Sequence, residues 1–316
     1  MSAPRCLVAM YHYVRDVERT AFPGMNALAP RDFRLQLDLL GQVRAPLEYG
    51  ELEAAVRQRR PVARPCSLLT FDDGFVDHYE TVFPELCRRR WTGVFFLVGL
   101  ALGERPRVLN VHKTHFLIAR LGAEAFAAAV RAGLSRQPVA AGHTLAWRDD
   151  VYRYDPSGEQ EAKHLLNYEL PYEVADRVLN DLFAEHLGDD TGFARALYLS
   201  PERIREMAGA GMTFGFHTER HRVLSRLDAA GQRAELAQGA ERVRELTGQR
   251  TVPFCSPSGP PHTYDATTLD VLRDAGYTLA FNTVRRLADP ASDAGLELPR
   301  YDTRDLPPLG AELPDA

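Results

Sequence analysis

The chain has 316 residues, 45% of them hydrophobic and 26% charged, with 38 Lys+Arg against 43 Asp+Glu for a net charge of -5. That composition excludes a disordered chain, a collagen and a small disulfide scaffold, and its mild negative charge gives no general attraction for nucleic acid or anionic lipid. Such a length suits one large domain or two ordinary ones, each with a substantial core.

The predicted elements alternate short apolar runs with segments of helical period, the pattern of an α/β protein with a largely parallel sheet. Strands are expected at Cys6 to Tyr11, Ser67 to Phe71, Gly93 to Val98, Met212 to Phe216, Val252 to Cys255 and Thr278 to Phe281. Amphipathic helices are expected at Asp32 to Val43 and Ala229 to Leu246. Ser200-Pro201-Glu202 combines an N-cap, a proline at the first helical position and an early acid, so a helix should run from there to about Gly209. Residues 105–197 break the rhythm and read as helix after helix, an inserted helical subdomain with loops near Gly142 and Pro156-Ser157-Gly158. Residues 306–316 read as an irregular, frayed tail. The longest apolar run, Val94 to Leu102, is too short to cross a bilayer, and the N-terminus lacks the pattern of a secretion signal. The expectation is a cytoplasmic protein without membrane insertion. Cys6, Cys66, Cys87 and Cys255 lie far apart and read as buried free thiols.

Two constellations carry chemistry. Thr70-Phe71-Asp72-Asp73-Gly74 follows an apolar strand, and the C-terminal end of a parallel strand is where α/β folds place their sites. Gly74 permits a tight turn that aims both acids into one pocket, and two close carboxylates repel unless a cation holds them. Taken alone, the doublet is equally an ordinary Asp-Asp-Gly turn. The second constellation, His217-Thr218-Glu219-Arg220-His221, also follows a strand. One helical turn would bring its two imidazoles to the same side, and two imidazoles with a carboxylate suit a hydrolytic divalent-metal site.

Together these segments resemble the first two motifs of the polysaccharide deacetylase family, the metal-dependent carbohydrate esterases of NodB homology. Met10-Tyr11-His12-Tyr13, Val94-Phe95-Phe96-Leu97-Val98 and Val252-Pro253-Phe254-Cys255-Ser256-Pro257-Ser258-Gly259 extend the similarity to about 200 residues. The resemblance implies a distorted (β/α) barrel formed by residues 1–104 and 198–305, with the helical insertion between the two metal-binding motifs and over the site. It implies that Asp72 is the general base, that Asp73, His217 and His221 bind the ion, and that the Ser258 backbone N–H receives the oxyanion.

The chain departs from the family pattern twice. Cys255 replaces the arginine expected to orient the catalytic aspartate, and Arg300, in Leu298-Pro299-Arg300-Tyr301-Asp302, is the candidate to reach Asp72 from another direction. The late Leu-x-x-His is missing, leaving His12 as the first candidate for general acid and His262 as the second. His112 and His115 read more readily as a solvated helix face than as a cap or substrate contact. Trp147, Tyr152, Tyr154, Tyr168 and Tyr172 could stack on sugar rings if they line the mouth, but most should simply pack.

The activity so implied is hydrolysis of an N-acyl group, most simply N-acetyl, on an amino sugar or glycosylated small molecule. Zn²⁺ leads the expected ions, with Co²⁺, Ni²⁺ or Fe²⁺ as alternatives. Competing readings are a hydrolase of non-sugar amides or cyclic imides and a non-catalytic sugar-binding protein that retains the metal site.

Overall fold

A computed structural model describes residues 4–136, 157–310 and 312–314. Eight strands form one sheet: β1 (Cys6–Tyr11), β2 (Ala45–Pro46), β3 (Cys66–Phe71), β4 (Val94–Leu97), β5 (Thr213–Phe216), β6 (Phe254–Cys255), β7 (Ala280–Phe281) and β8 (Tyr301–Asp302). Their order is β7-β6-β5-β4-β3-β1-β8, with β2 beside the start of β3, and every pairing is parallel. β1 and β3 are buried along their whole length, which is why they read as continuous apolar runs. The sheet curls into a distorted (β/α) barrel. Leu298 bridges to Phe281 of β7, while Tyr301 pairs with Ala9 of β1, so the chain between them spans the two sheet edges.

Because all strands run the same way, their C-terminal ends open on one face, where the connecting loops gather. Helices Pro30–Val43, Tyr49–Arg57, Phe83–Arg89, Pro201–Gly209 and Ala266–Asp274 alternate with the strands. Phe33, Leu37 and Leu40 of the first and Ile204 and Met207 of the fourth join one apolar core with Leu69, Phe71, Phe95 and Phe214 of the sheet. The Ser200 hydroxyl caps its helix by accepting from Arg203 N. The helix expected over Ala229 to Leu246 is instead two, Ala229–Leu236 and Gly239–Thr247. The break falls where the Phe216 ring lies so close to Gly239 that a side chain there would overlap it.

Between β4 and β5 the chain forms helices Asn110–Leu121, Ala123–Ser135, Ser157–His164, Tyr172–His186 and Asp190–Leu197. Leu117, Phe126, Val130, Leu166, Val178 and Leu182 give this region a core of its own. The helix Asp190–Leu197 escaped the sequence reading, although Asp189 caps it by accepting from Thr191 and Gly192 N–H groups. The loop expected at Gly142, Pro156 of the second expected loop, and the aromatics Trp147, Tyr152 and Tyr154 lie outside the described residues.

The tail is irregular but not frayed where it begins. Leu306 is fully buried, and Gln36 Nε2 donates to the carbonyls of Thr303, Leu306 and Pro307. Cys87 is exposed, contrary to expectation, whereas Cys6, Cys66 and Cys255 are buried. No helix among the described residues is long and apolar enough to cross a membrane.

Candidate metal centre and active site

Asp72 and Asp73 follow the end of β3, where the backbone turns sharply. Asp73 has φ 76° and Gly74 φ 65°, both in the left-handed region that only glycine adopts without strain. Of the six non-glycine residues with positive φ among the described residues, Asp73, Thr218, His221 and Ser258 all belong to the candidate site. Such strain persists only where the surrounding structure imposes it, and it gathers at functional sites.

Arg300 meets the expectation that a second cation reaches Asp72. Its Nη1 donates to Asp72 Oδ1 at 2.8 Å and its Nη2 to Asp72 Oδ2 at 2.9 Å, a bidentate pair with both residues buried. The remaining donors go to Thr70 Oγ1 (3.1 Å), the Asn282 carbonyl (3.1 Å) and Cys255 Sγ (2.8 Å), so all five guanidinium N–H groups are used. Cys255 therefore leaves room for a guanidinium from elsewhere and accepts from it. Burial opposes charge on Asp72, but Arg300, with His217 and His12, more than offsets it and brings its pKa down to about 2. Burial pushes the Cys255 thiol well up, and Asp72 adds to the effect, so it stays protonated.

Asp73 faces the histidines. Its Oδ1 lies 3.7 Å from His217 Nε2 and 3.8 Å from His221 Nε2, and one potential ligand atom from each of the three residues lies within 4.8 Å of the other two. The imidazoles do not reach this side through a helical turn as expected. Residues 217–221 form a tight loop in which Thr218 Oγ1 accepts from His221 N at 2.9 Å, and the two rings stand 4.7 Å apart at 78°. His217 Nδ1 donates to the Cys255 carbonyl at 2.7 Å, which leaves the Nε2 lone pair directed at the cluster. Burial lowers the pKa of both histidines, with His217 reinforcing the effect on His221, which falls to about 3. Both are therefore neutral near pH 7, the form in which imidazole binds a metal.

The residues fit a divalent cation. Asp73 Oδ1 is buried without a hydrogen-bond partner among the described residues, beside two neutral imidazole nitrogens. A second group, Asp72, His217 and Cys255, is equally close but fits less well, since Arg300 already holds Asp72 and Cys255 is protonated.

A cavity of about 150 Å³ is lined by His12, Asp72, Asp73, His217, His221, Ser258 and Arg300, so all seven expected site residues meet there. His12 Nε2 lies 3.9 Å from Asp72 Oδ2 at the rim, its backbone held by His78 Nε2, 3.0 Å from the His12 carbonyl. His262 sits in the turn Pro261–Thr263, outside the described residues lining this cavity. Val111, His115, Asn167 and Tyr172 bring the helical insertion onto the cavity wall. Tyr172 therefore lines the site, whereas Tyr168 is buried and stacks on His164. A larger groove of about 530 Å³ continues past His12 and His115.

His112 corrects the reading of a solvated helix face. It is 1% exposed, with Nε2 3.1 Å from Asp73 Oδ2 and Nδ1 2.6 Å from the Tyr198 hydroxyl. The available signal was its spacing four residues before Phe116, which is also buried.

The polysaccharide deacetylase model matches residues 59–280, more than two thirds of the sequence and both constellations. The chain belongs to the polysaccharide deacetylase family. Among solved structures, the Streptococcus pyogenes deacetylase PplD in complex with acetate aligns with TM-score 0.60 and 17% identity, over 97% of this chain and 95% of that one. IcaB from Ammonifex degensii aligns with TM-score 0.55 and 20% identity, over 95% and 92%. The BpsB deacetylase domain from Bordetella bronchiseptica aligns with TM-score 0.55 and 17% identity, over 95% and 98%. At these identities the likeness establishes the deacetylase fold. No curated protein matches the chain.

Proposed function

We propose that this deacetylase hydrolyses the N-acetyl group of an amino sugar within a saccharide, using a divalent ion held by Asp73, His217 and His221. The observation that carries the reading is the division of the aspartate doublet. One carboxylate is held ionised by Arg300, and the other offers an unpartnered oxygen beside two neutral imidazoles. A purely structural metal site would not need the first.

When bound, a divalent ion, with Zn²⁺ best suited to this donor set, would act as a Lewis acid toward the acyl carbonyl and acidify water. The chain's own residues supply the rest. Asp72 accepts the proton of the attacking water as oxygen bonds to the acyl carbon. Arg300 fixes that carboxylate in position and keeps it ionised. The Ser258 backbone N–H stabilises the oxyanion. His12 Nε2 gives a proton to the nitrogen as the C–N bond breaks, releasing acetate and a free amine. The acyl group enters the cavity beside Asp72, and the saccharide extends along the groove past His12 and His115.

The test is elemental mass spectrometry of the purified protein together with acetate release from N-acetylated oligosaccharides. About one equivalent of transition metal, with activity, both lost in His217→Ala, is the expected result. A metal-loaded protein that hydrolyses simple amides or imides but no N-acetyl sugar overturns the substrate class. A protein that binds no metal even after reconstitution overturns the site.

A further inference from the structure

His112 belongs to the insertion, not to the barrel, yet its imidazole touches the back of the candidate metal ligand Asp73. The hydrogen-bond partners along this line favour one tautomer. Leu109 N–H donates to the Tyr198 hydroxyl oxygen at 3.1 Å. The Tyr198 O–H is then free to donate to His112 Nδ1, 2.6 Å away. With Nδ1 accepting, the imidazole proton resides on Nε2, whose neighbouring acceptor is Asp73 Oδ2 at 3.1 Å. The contact is bent too far from the ideal line to count as a full hydrogen bond, so His112 Nε2 faces Asp73 Oδ2 as a close polar contact and has no hydrogen-bond partner among the described residues. Phe75 and Tyr198 confine the ring, with centroids 4.7 Å and 5.6 Å away, and Tyr13 stands at 6.0 Å, so the imidazole has little freedom to turn.

We infer that His112 is a positioning residue for the metal centre: through the chain Leu109 N–H, Tyr198 O–H, His112 Nε2–H, it occupies Asp73 Oδ2 and presents Oδ1 alone to the ion. His112 does not itself join the ligand cluster, which consists of Asp73, His217 and His221. The physical reason is that a buried carboxylate with one oxygen engaged by a fixed donor cannot rotate to chelate with both. Outer partners of this kind also set the strength of the ligands they orient. The insertion thus completes a site whose candidate ligands all lie in turns that follow barrel strands. Tyr198 is itself tied to the barrel by a backbone bridge to Phe75, just after the aspartate doublet. This role rests on the metal reading proposed above.

The test measures metal affinity directly, without substrate. Apoprotein is titrated with Co²⁺ against a chelator of known affinity, and the visible spectrum of the bound Co²⁺ is recorded, for wild type, His112→Leu, His112→Gln and Tyr198→Phe. Circular dichroism of each apoprotein confirms that it is folded. Loss of an outer partner weakens metal binding by about 10- to 100-fold, and His112→Leu is expected in that range with an altered Co²⁺ spectrum. His112→Gln, which keeps a donor near the same place, should recover much of the affinity. Tyr198→Phe frees the tautomer and should show a smaller loss of the same sign. If folded His112→Leu and His112→Gln bind Co²⁺ as wild type does, with unchanged spectra, the positioning role is overturned while the metal site stands. If wild type itself binds no Co²⁺, the metal reading fails and the role fails with it.

Discussion

Asp72 and Asp73 are adjacent in the chain, yet different regions of the molecule hold them. The barrel holds Asp72 through Arg300, which arrives just before β8 and uses both carboxylate oxygens. The insertion reaches Asp73 through His112 and engages one oxygen only. A carboxylate saturated by a guanidinium is fixed and ionised, suited to handling a proton in one place. A carboxylate with one buried oxygen to spare beside neutral imidazoles is suited to a cation. The barrel and the insertion thus give two identical side chains different surroundings by giving them different partners.

The largest expected effect tests that division directly. Asp72→Asn should lower acetate release by about 10³-fold, within the range of a lost general base, while metal content stays near one equivalent. Loss of the metal as well would show that the two aspartates are not functionally separate. Arg300→Met strands a buried carboxylate, and removing one partner of such a pair costs about 3–5 kcal/mol. Urea denaturation of the metal-free protein should show this loss, and Asp72→Asn combined with Arg300→Met should cost less than the sum of the two. Additive costs would mean that Arg300 stabilises the barrel without acting through Asp72.

A smaller effect is expected at the rim. His12→Gln should reduce kcat about 10²-fold, the lower end of general-acid contributions, with KM and bound metal little changed. A proportional rise in KM would instead make His12 a substrate contact.

The smallest effect is on pH dependence. Burial depresses His221 to about 3 and His78 to about 4, against 6.5 in the unfolded chain. Their depressed values add stability that is present above about pH 6.5 and declines as pH falls toward those values, because the unfolded chain takes up protons first. The Asp72 contribution behaves differently, remaining intact until pH drops below its ordinary 3.8 toward about 2. The Tm of metal-free protein should therefore fall from pH 7.5 to pH 5 and continue to fall below pH 4. A flat profile from 7.5 to 5 would mean that the histidines are not buried as neutral groups.

Local pattern along the chain accounts for much of the fold and for the clustered side chains. Apolar runs located the six main strands, Ser200-Pro201 marked a helix start to the residue, and two constellations at strand ends supplied the side chains that cluster as Asp73, His217 and His221. A chain that must bury a parallel sheet announces it in consecutive residues. The two-residue edge strands β2 and β8 and the break before Gly239 were not legible, because they depend on which neighbours pack against them. The partners of the aspartates follow from long-range packing instead. Arg300 lies 228 residues from Asp72, and Tyr198 lies 86 from His112. Their contacts form because the strand ends converge on one face and the insertion folds over it, bringing together residues that no local spacing connects.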